Sequence, residues 1–361
     1  MVLLPAGLPN FAQRLLNQMH YARDQQVIAS CLILVCLFAV LSAVVAVLLR
    51  AGRVRRLGVV SLILVVVGGA VGCDRVGIGD GQPEVVGSFG KTGGGEGEFL
   101  YPRGIERDLD GSLLVVDKTG RIQRLTEEGR CLAVMQMPNI EAGKPTGLSV
   151  HPNGRLYVAD THYHRVVVFA PDGTIVEEFG RYGQDDGCFI YPTDVAFAGD
   201  GRIFVSEYGG NDRISVFTEK GEFITTFGSL GTGPGGLSRP SALCVDDTRD
   251  RLYVADACNH RIAIYNLAGE LTGYIGSVGL GRGQLRYPYD LALLGDGTIV
   301  VCEFGNNRIQ LFSPAGESLA VYGQAGRELG QLAYPWAVTV DARRRAYVVD
   351  AGNNRVQVWQ L

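Results

Sequence analysis

The sequence has 361 residues and a formal net charge of −4, and its charges are unevenly divided. The first 73 residues hold six arginines against one aspartate, which leaves 27 basic and 36 acidic side chains, a balance of −9, for the rest of the chain. Because a phosphate-binding surface requires clustered Lys and Arg, this balance argues against nucleic acid as a partner.

The amino-terminal region is apolar and is predicted to anchor the chain in a membrane. Residues 1–26 are a lead-in that fits either a flexible segment or an amphipathic interfacial helix. Residues 27–49 form an uncharged apolar run of 23 residues. As a helix, a run of this length crosses a hydrocarbon core of about 30 Å, so it is predicted to be a transmembrane helix.

A basic segment and a second apolar run follow. Residues 50–56 contain four arginines and are predicted to stay in the cytoplasm, because positive charge is retained on that side. Residues 57–73 are either a second transmembrane helix or a signal sequence that ends at a lipidated Cys73. The residues before Cys73 resemble a bacterial lipobox, with Ala70 in place of the usual Leu. A third alternative is that translation begins near Val54.

All three alternatives lead to the same location for the rest of the chain. Since the basic segment is cytoplasmic, whatever follows the second apolar run faces outward. We therefore expect the chain to be held in a bacterial inner membrane, with the part beyond a linker at residues 74–83 on the extracytoplasmic side.

Beyond this linker, one pattern recurs six times. Its copies read DKTGRIQRL, DTHYHRVVVF, EYGGNDRISVF, DACNHRIAIY, EFGNNRIQLF and DAGNNRVQVW. Their arginines are separated by 44, 48, 48, 47 and 47 residues, a spacing typical of repeat arrays. Each repeat contains four short apolar runs bounded by Gly, Pro, Asn or Asp, which indicates strands and turns. Six units of four strands predict an all-β, six-bladed propeller.

The two ends of the repeat region complement each other. The last repeat stops at VQVWQL, after its third strand, whereas residues 84–90 (EVVGSFG) have the pattern of a fourth strand and precede the first repeat. Pairing of 84–90 with the last blade would close a ring over residues 84–361 and would cover an edge strand that is otherwise exposed.

The order of Pro, an apolar strand, a DG-type turn, YVAD, NR or HR and a further strand resembles the NHL repeat. This resemblance covers about three-quarters of the chain and implies a propeller fold. The family includes RNA-binding and protein-binding modules of ubiquitin ligases, an amidating lyase with a metal centre, and bacterial envelope proteins. The chain departs from the ligases, because it has no RING or B-box clusters of Cys and His. The fold alone does not fix the activity.

Candidate binding residues lie on one face of the predicted ring. The linkers between blades and the loops between second and third strands emerge on that face, and they are rich in Tyr, Trp and Arg, which anchor protein interfaces. The candidates are Tyr101, Arg103, Tyr163, Tyr191, Tyr208, Tyr287, Tyr289, Phe304, Tyr334 and Trp336. For the tyrosines that precede a proline, packing against that proline is the competing structural interpretation.

Acidic residues and arginines also recur in the repeats, and they are expected to be architectural. The acid would accept hydrogen bonds from the neighbouring loop and the arginine would tie that loop in place. The pairs are Asp160 with Arg165, Glu207 with Arg213, Asp256 with Arg261, Glu303 with Arg308, and Asp350 with Arg355.

Catalytic and metal-binding patterns are weak. His162 and His164 lie close in sequence, but no third ligand accompanies them, and a catalytic zinc site normally has three. We therefore predict a membrane-anchored module of the cell envelope that binds a protein, peptide or glycan without catalysis and without a cofactor. The alternative is a metal-dependent propeller lyase or hydrolase that holds Ca or Zn in the central channel.

Overall fold

The computed structural model describes residues 84–361, and this part of the chain folds into six four-stranded antiparallel sheets. The all-β, six-bladed propeller expected from the repeats is thereby confirmed. The described chain begins with β1 (Val85–Phe89), which belongs to the last blade.

The first three blades follow in chain order. Blade 1 consists of β2 (Pro102–Arg107), β3 (Leu113–Asp117), β4 (Arg121–Leu125) and β5 (Cys131–Gln136). Blade 2 consists of β6 (Leu148–Val150), β7 (Leu156–Asp160), β8 (Arg165–Phe169) and β9 (Ile175–Phe179). Blade 3 consists of β10 (Tyr191–Phe197), β11 (Ile203–Tyr208), β12 (Arg213–Phe217) and β13 (Phe223–Phe227).

A short parallel pair, β14 (Ser229–Leu230) and β15 (Gly236–Leu237), lies in the linker to the next blade. Blade 4 consists of β16 (Pro240–Asp246), β17 (Arg251–Asp256), β18 (Arg261–Tyr265) and β19 (Leu271–Ile275). Blade 5 consists of β20 (Pro288–Leu293), β21 (Ile299–Glu303), β22 (Arg308–Phe312) and β23 (Ser318–Tyr322). Blade 6 consists of β24 (Pro335–Val340), β25 (Arg345–Asp350), β26 (Arg355–Gln360) and β1.

Helical structure within residues 84–361 is limited to single 3-10 turns. These turns cover Thr161–Tyr163, Asp247–Arg249, Ala257–Asn259 and Ala351–Asn353.

The two ends of the described chain meet in blade 6. β1 pairs antiparallel with β26, with Val85 opposite Trp359 and Phe89 opposite Val356. The register shifts between Val85 and Gly87, where one strand carries a bulge. This pairing supplies the fourth strand of the last sheet from the beginning of the described chain, so the sheet is complete and the ring is closed.

The hydrophobic core lies between blades, not within them. Six apolar clusters are present among the described residues, and each one joins side chains of two neighbouring blades. A buried residue from the intervening linker enters five of these clusters: Phe99, Phe189, Leu237, Leu285 and Leu332. Because a blade buries its apolar faces only against its neighbours, the repeat has to be arrayed in order to fold.

The linker between blades 1 and 2 differs from the other linkers. It reads MPNIEAGKPTG and lacks the Gly-rich pattern that precedes the other blades. Met137 supplies the buried linker residue at this junction. A flexible Met side chain fills an irregular gap more readily than a branched one, which explains how the junction closes without the usual linker.

The predicted anchor is not part of the described structure. The lead-in at 1–26, the apolar runs at 27–49 and 57–73, the basic loop at 50–56, Cys73 and the linker at 74–83 all lie outside residues 84–361. Between Glu84 and the last residue, no helix is long and apolar enough to cross a bilayer.

Candidate binding face

The linkers between blades and the loops between second and third strands lie at the same end of the strands. They bind each other directly: Asn354 accepts a hydrogen bond from the Tyr101 amide at 2.6 Å and donates one to Thr92 Oγ1 at 2.9 Å. We call this end of the propeller the aromatic face. The turns between first and second strands and between third and fourth strands form the opposite face.

The repeated acid and arginine pairs hold the linkers of the aromatic face. In the five predicted pairs, the arginine Nε lies 2.6 to 3.0 Å from a carboxylate that is fully buried. Arg308 shows the full pattern, because its terminal nitrogens also donate to the carbonyls of Leu280, Gly281 and Gln284 in the preceding linker. Glu303 in turn accepts from the Arg286 amide of that linker.

Burial dominates the electrostatics of these acids. Desolvation raises the pKa of Asp160 to about 6 and raises the pKa values of Glu207, Asp256 and Glu303, while hydrogen bonds and charges of the paired arginines act in the opposite direction. With their hydrogen-bonding capacity directed inward to linker atoms, these pairs serve the assembly of the blades.

The repeated acid of blade 2, Asp160, has one carboxylate oxygen without a hydrogen bond in the described part of the chain. Asp160 pairs with Arg165, but its Oδ1 is buried without a hydrogen-bond partner among the described residues. In blades 3 and 5, the equivalent acid accepts from a linker amide, at Ile190 and Arg286 respectively. In blade 2 the Lys144 amide instead donates to His162 Nδ1 at 3.3 Å. The irregular linker before blade 2 is the cause of this difference.

The tyrosines that precede prolines are fixed by the architecture of the repeat. Tyr101, Tyr287 and Tyr334 have φ values of 53°, 47° and 52°, in the left-handed region that non-glycine residues rarely adopt. The amides of Tyr287 and Tyr334 donate to His260 Nδ1 at 3.1 Å and to Asn307 Oδ1 at 2.8 Å. These loop contacts hold a backbone conformation that would otherwise be strained.

The side chains of two Tyr-Pro tyrosines pack on glycines of their own blade. A Cβ added at Gly209 would lie 2.5 Å from the Tyr191 ring, and one added at Gly305 would lie 2.8 Å from the Tyr287 ring. Tyr191 and Tyr287 are therefore both structural parts of the face and partly exposed components of it.

A group of rings from blades 5, 6 and 1 forms a continuous aromatic contact network on this face. The Tyr289 ring stacks on Phe304 at 4.5 Å between centroids and meets Trp336 edge-on at 5.0 Å. Phe304 also contacts Tyr334 at 5.2 Å, and Trp336 contacts Tyr101 at 5.8 Å. We call this network the aromatic arc, and it consists of Tyr101, Arg103, Tyr289, Phe304, Tyr334 and Trp336.

Blades 2, 3 and 4 carry small hydroxyl residues where the aromatic arc carries large ones. The residue after the first proline of each blade is Thr146, Thr193 or Ser241 in these blades, and Tyr289, Trp336 or Arg103 in blades 5, 6 and 1. Each hydroxyl reaches a carbonyl on the first strand of the next blade, namely Thr193, Pro240 and Pro288, at 3.0, 2.6 and 3.1 Å respectively. We call these three residues the hydroxyl arc.

The remaining predicted residues connect the two arcs or lie beside them. Tyr208 contacts Tyr191 at 5.2 Å, and the Arg239 guanidinium lies 5.2 Å from the Tyr208 ring and 5.1 Å from the Tyr289 ring. Tyr163 lies apart, because its hydroxyl accepts from the Ala142 amide and donates to Glu141 in the linker before blade 2.

Three acidic residues on the first strands, which line the central channel, were missed by the sequence interpretation. Asp194 accepts from the Leu243 amide of the next blade and Asp290 accepts from the Val338 amide, both at 2.8 Å. Burial raises the pKa of Asp290 to about 8 and that of Glu106 to about 7, and it raises the pKa of Asp194 well above its usual range. Asp194 and Asp290 thus bind neighbouring inner strands together.

A detectable sequence signal marks two of these acids. Two residues after the first proline of a blade, the sequence has Gly104, Gly147, Ala242 and Ala337 in four blades but aspartate in the other two. A carboxylate at a position that otherwise accepts only Gly or Ala indicates a special contact.

The described residues contain no metal-binding cluster. No three His, Cys, Asp or Glu side chains between residues 84 and 361 come together as a ligand set. His260 accepts from the Tyr287 amide, and His164 Nδ1 binds the Ile190 carbonyl, so both imidazoles act in the loops. All five cysteines of the described region are free thiols.

Comparison with known families agrees with the repeats and the fold. A family model described as the NHL repeat matches residues 143–169 and 332–359, and a model described as a six-bladed β-propeller matches residues 184–276. Among curated proteins, the chain is similar to the protein brain tumor of Drosophila melanogaster, at 35% identity over 65 residues. That match spans 18% of this chain and only 6% of the relative.

Solved structures are similar in fold. Virginiamycin B lyase from Staphylococcus aureus superposes with a TM-score of 0.54 at 17% identity, covering 77% of this chain and 96% of the lyase. A protein of unknown function from Bacteroides thetaiotaomicron superposes with a TM-score of 0.60 at 18% identity, covering 77% of this chain and 75% of that protein. Identities this low establish the fold alone. The chain is therefore a six-bladed β-propeller that carries NHL repeats.

Proposed function

We propose that this propeller is a non-catalytic binding module whose ligand, a protein, peptide or glycan, docks on the aromatic arc. The observation that carries the proposal is the continuous network of rings across three blades, in which Tyr334 is 53% exposed. Large rings with polar tips provide contact area at little entropic cost, and Trp, Tyr and Arg dominate the energetics of interfaces. NHL propellers generally mediate protein interactions, so a protein or peptide is the favoured ligand.

The different contacts made by the two arcs support docking on the aromatic arc. The side chains of the hydroxyl arc form hydrogen bonds between blades, whereas the rings of blades 5, 6 and 1 contact one another, with Tyr334 exposed and Trp336 partly exposed. A ligand that binds there meets a surface already ordered by packing. The module would act by rigid presentation of this surface, with no covalent step and no cofactor.

The proposed setting is the bacterial cell envelope, with the chain anchored to the inner membrane by the segment before residue 84. The propeller itself offers one supporting feature. β1 runs from Val85, opposite Trp359, to Phe89, opposite Val356, and β26 begins at the aromatic face. The described chain therefore enters the propeller at the opposite face.

A metal-dependent lyase or hydrolase in the central channel is the alternative. The acids on the first strands do not fit a metal centre, because Asp194 and Asp290 are committed to backbone amides of the next blade and the described residues form no ligand set. We therefore derive no catalytic step from them.

The test compares two faces of the full-length chain. Wild-type protein, a Trp336→Ala/Tyr334→Ala double variant and a Leu109→Ala variant are purified in mild detergent and incubated with a cell-envelope extract. Leu109 is a matched control, because it is 64% exposed and lies in a turn of the opposite face. We expect a partner retained by wild type and Leu109→Ala and lost by the double variant, with circular dichroism unchanged in all three.

Two results would count against the proposal. Identical retention by all three proteins would mean that the aromatic arc is architectural. Stoichiometric Ca or Zn in the purified chain, together with loss of function after chelation, would favour the lyase or hydrolase alternative.

A further inference from the structure

Arg103 differs from the paired arginines of the aromatic face in having no acidic partner. Among residues 84–361, no carboxylate or other acceptor bonds to its side chain, and its Nε is buried without a partner. The residue as a whole is partly exposed. A guanidinium remains charged at any physiological pH. A half-buried charge without a counter-ion is therefore part of the folded propeller.

The fold does not require an arginine at this position. The equivalent residues are Thr146, Thr193 and Ser241 in the hydroxyl arc, where a short side chain binds the next blade. Arg103 makes no such bond. Partial desolvation of an unpaired charge destabilises the folded state, so Arg103 adds a cost where a small residue would add a stabilising contact.

The Arg103 guanidinium lies against two rings of the aromatic arc. Its Cζ lies 5.0 Å from the Trp336 ring centroid and 5.9 Å from that of Tyr101. These rings also contact each other at 5.8 Å, so the guanidinium rests against a preformed aromatic wall. Arginine stacked on aromatic rings loses less freedom when it forms a hydrogen-bonded pair, and its planar donors match a carboxylate in a two-point contact.

The charge balance favours a ligand with a single carboxylate over a polyanionic ligand. The region beyond residue 73 carries a net −9, and only one unpaired guanidinium is available in the aromatic arc. Nucleic acids and other polyphosphates need clusters of basic residues. A single carboxylate beside an apolar side chain matches the Arg103 guanidinium beside the rings of Trp336 and Tyr101.

We propose that Arg103 binds a carboxylate of a peptide ligand, while the residue next to that carboxylate packs on Trp336 and Tyr334. The inference rests on the proposed binding role of the aromatic arc, and it specifies the ligand: a segment with an acidic side chain or a free carboxyl terminus adjacent to an apolar or aromatic residue.

The test uses a peptide array and the full-length chain in detergent. Each octapeptide places Asp, Glu, Asn, Gln or Ala beside an apolar residue, and each is made with a free and with an amidated carboxyl terminus. Wild type is compared with Arg103→Gln, Arg103→Lys and Trp336→Ala. Arg286→Gln is the charge-matched control, because Arg286 is an exposed arginine in the linker before blade 5.

We expect wild type and Arg286→Gln to select the same peptides, all of which carry a carboxylate beside an apolar residue. Arg103→Gln should weaken binding of these peptides at least tenfold, and Arg103→Lys should recover only part of the loss, since an ammonium lacks the two-point geometry. If acidic peptides with amidated ends still bind, the recognised carboxylate belongs to a side chain. If amidation abolishes binding, it belongs to the carboxyl terminus.

For wild type and the arginine variants, which keep both tryptophans, affinity in solution can be read from tryptophan fluorescence. The chain has two tryptophans, and Trp359 is buried with 1% exposure, so a ligand that reaches the aromatic arc alters chiefly the emission of Trp336. If Arg103→Gln fails to fold, Arg103→Lys still tests the guanidinium, because it retains the positive charge and lacks the two-point geometry.

Two failures are distinguishable. Peptides that bind wild type, lose affinity in Trp336→Ala and are indifferent to Arg103→Gln and to their own carboxylates would overturn this inference and leave the binding role intact. Peptide binding that is equal in wild type and Trp336→Ala would overturn both. Absence of peptide binding combined with selection from a glycan array would also overturn the inference, and it would keep the aromatic arc as a glycan site.

Discussion

The hydroxyl arc and the aromatic arc occupy equivalent positions of one repeat and use them differently. In blades 2 to 4, Thr146, Thr193 and Ser241 each bond to the first strand of the next blade. In blades 5 and 6, Tyr289 and Trp336 meet each other across the junction by ring contact at 5.0 Å. In one half of the ring this position joins blades by hydrogen bonds, and in the other half it joins them by contacts between large side chains, of which Trp336 and Arg103 are partly exposed. A symmetric fold therefore carries two different kinds of contact at one repeat position.

The largest expected effect on stability comes from the ion pairs that fix the linkers in the two halves of the ring. Arg308 of blade 5 pairs with buried Glu303 and donates to three linker carbonyls, whereas Arg165 of blade 2 pairs with Asp160 and with the side chains of Glu178 and Asn139. Arg308→Ala leaves a buried carboxylate without its counter-ion, which is expected to cost about 3–5 kcal/mol of unfolding free energy. Arg165→Ala also leaves a buried acid, but it removes no bonds to linker backbone carbonyls, so it should cost less. Urea unfolding of both variants measures this difference, and equal losses would contradict it.

A substitution in the hydroxyl arc should affect stability and leave binding unchanged. Thr193 is 4% exposed, and its hydroxyl lies 2.6 Å from the Pro240 carbonyl and 2.7 Å from Ser206 Oγ. Thr193→Val keeps the shape but leaves buried polar atoms without a partner, which is expected to cost about 1–3 kcal/mol. Thermal unfolding measures the loss. Weaker ligand binding at temperatures where the variant is fully folded would contradict the separation of the two arcs.

The matching substitution in the aromatic arc should show the reverse. Trp336→Leu keeps an apolar side chain but removes the ring that contacts Tyr289, Phe304 and Tyr101. We expect ligand affinity to fall about tenfold or more, as is typical for a central aromatic anchor. Its thermal midpoint should fall less than that of Thr193→Val. Binding at wild-type affinity would show that the aromatic arc is not the docking surface.

The smallest expected effect is a pH dependence that originates in blade 1. Burial raises the pKa of Glu106 to about 7, above its value in the unfolded chain. A carboxyl whose pKa is raised on folding stabilises the native state at low pH, and this contribution is lost as pH rises toward the folded pKa. Stability should therefore decrease between about pH 5 and 8.

Glu106→Gln is the matched variant, because an amide oxygen can still accept from the Arg107 amide and from Thr339. It should flatten the decrease by about 1 kcal/mol, measured as urea unfolding at pH 5 and pH 8. An unchanged slope would assign the pH dependence to Asp194 and Asp290, whose pKa values are also raised by burial.

Much of the fold could be predicted because the repeat encodes it locally. The spacing of the arginines gives the number of blades, and the pattern of residues 84–90 anticipated the strand that pairs with β26. The exchange of a linker residue for Met137 was not predictable, since it depends on the volume left between two blades. The candidate face could be predicted from the connectivity of the loops. Its division into two arcs could not be predicted, because contacts such as the hydrogen bond from Thr193 to the Pro240 carbonyl depend on distances between blades.

Site-specific photo-cross-linking tests the central claim most directly. A photoreactive phenylalanine analogue is placed at position 334, which is 53% exposed in the aromatic arc, or at position 109, which is 64% exposed on the opposite face. A third chain carries it at position 146 in the hydroxyl arc. After irradiation in a cell-envelope extract, our account predicts one adduct at position 334 that is absent at 109 and weaker at 146. An adduct of equal yield at 109, or none at 334 with one at 146, would contradict it.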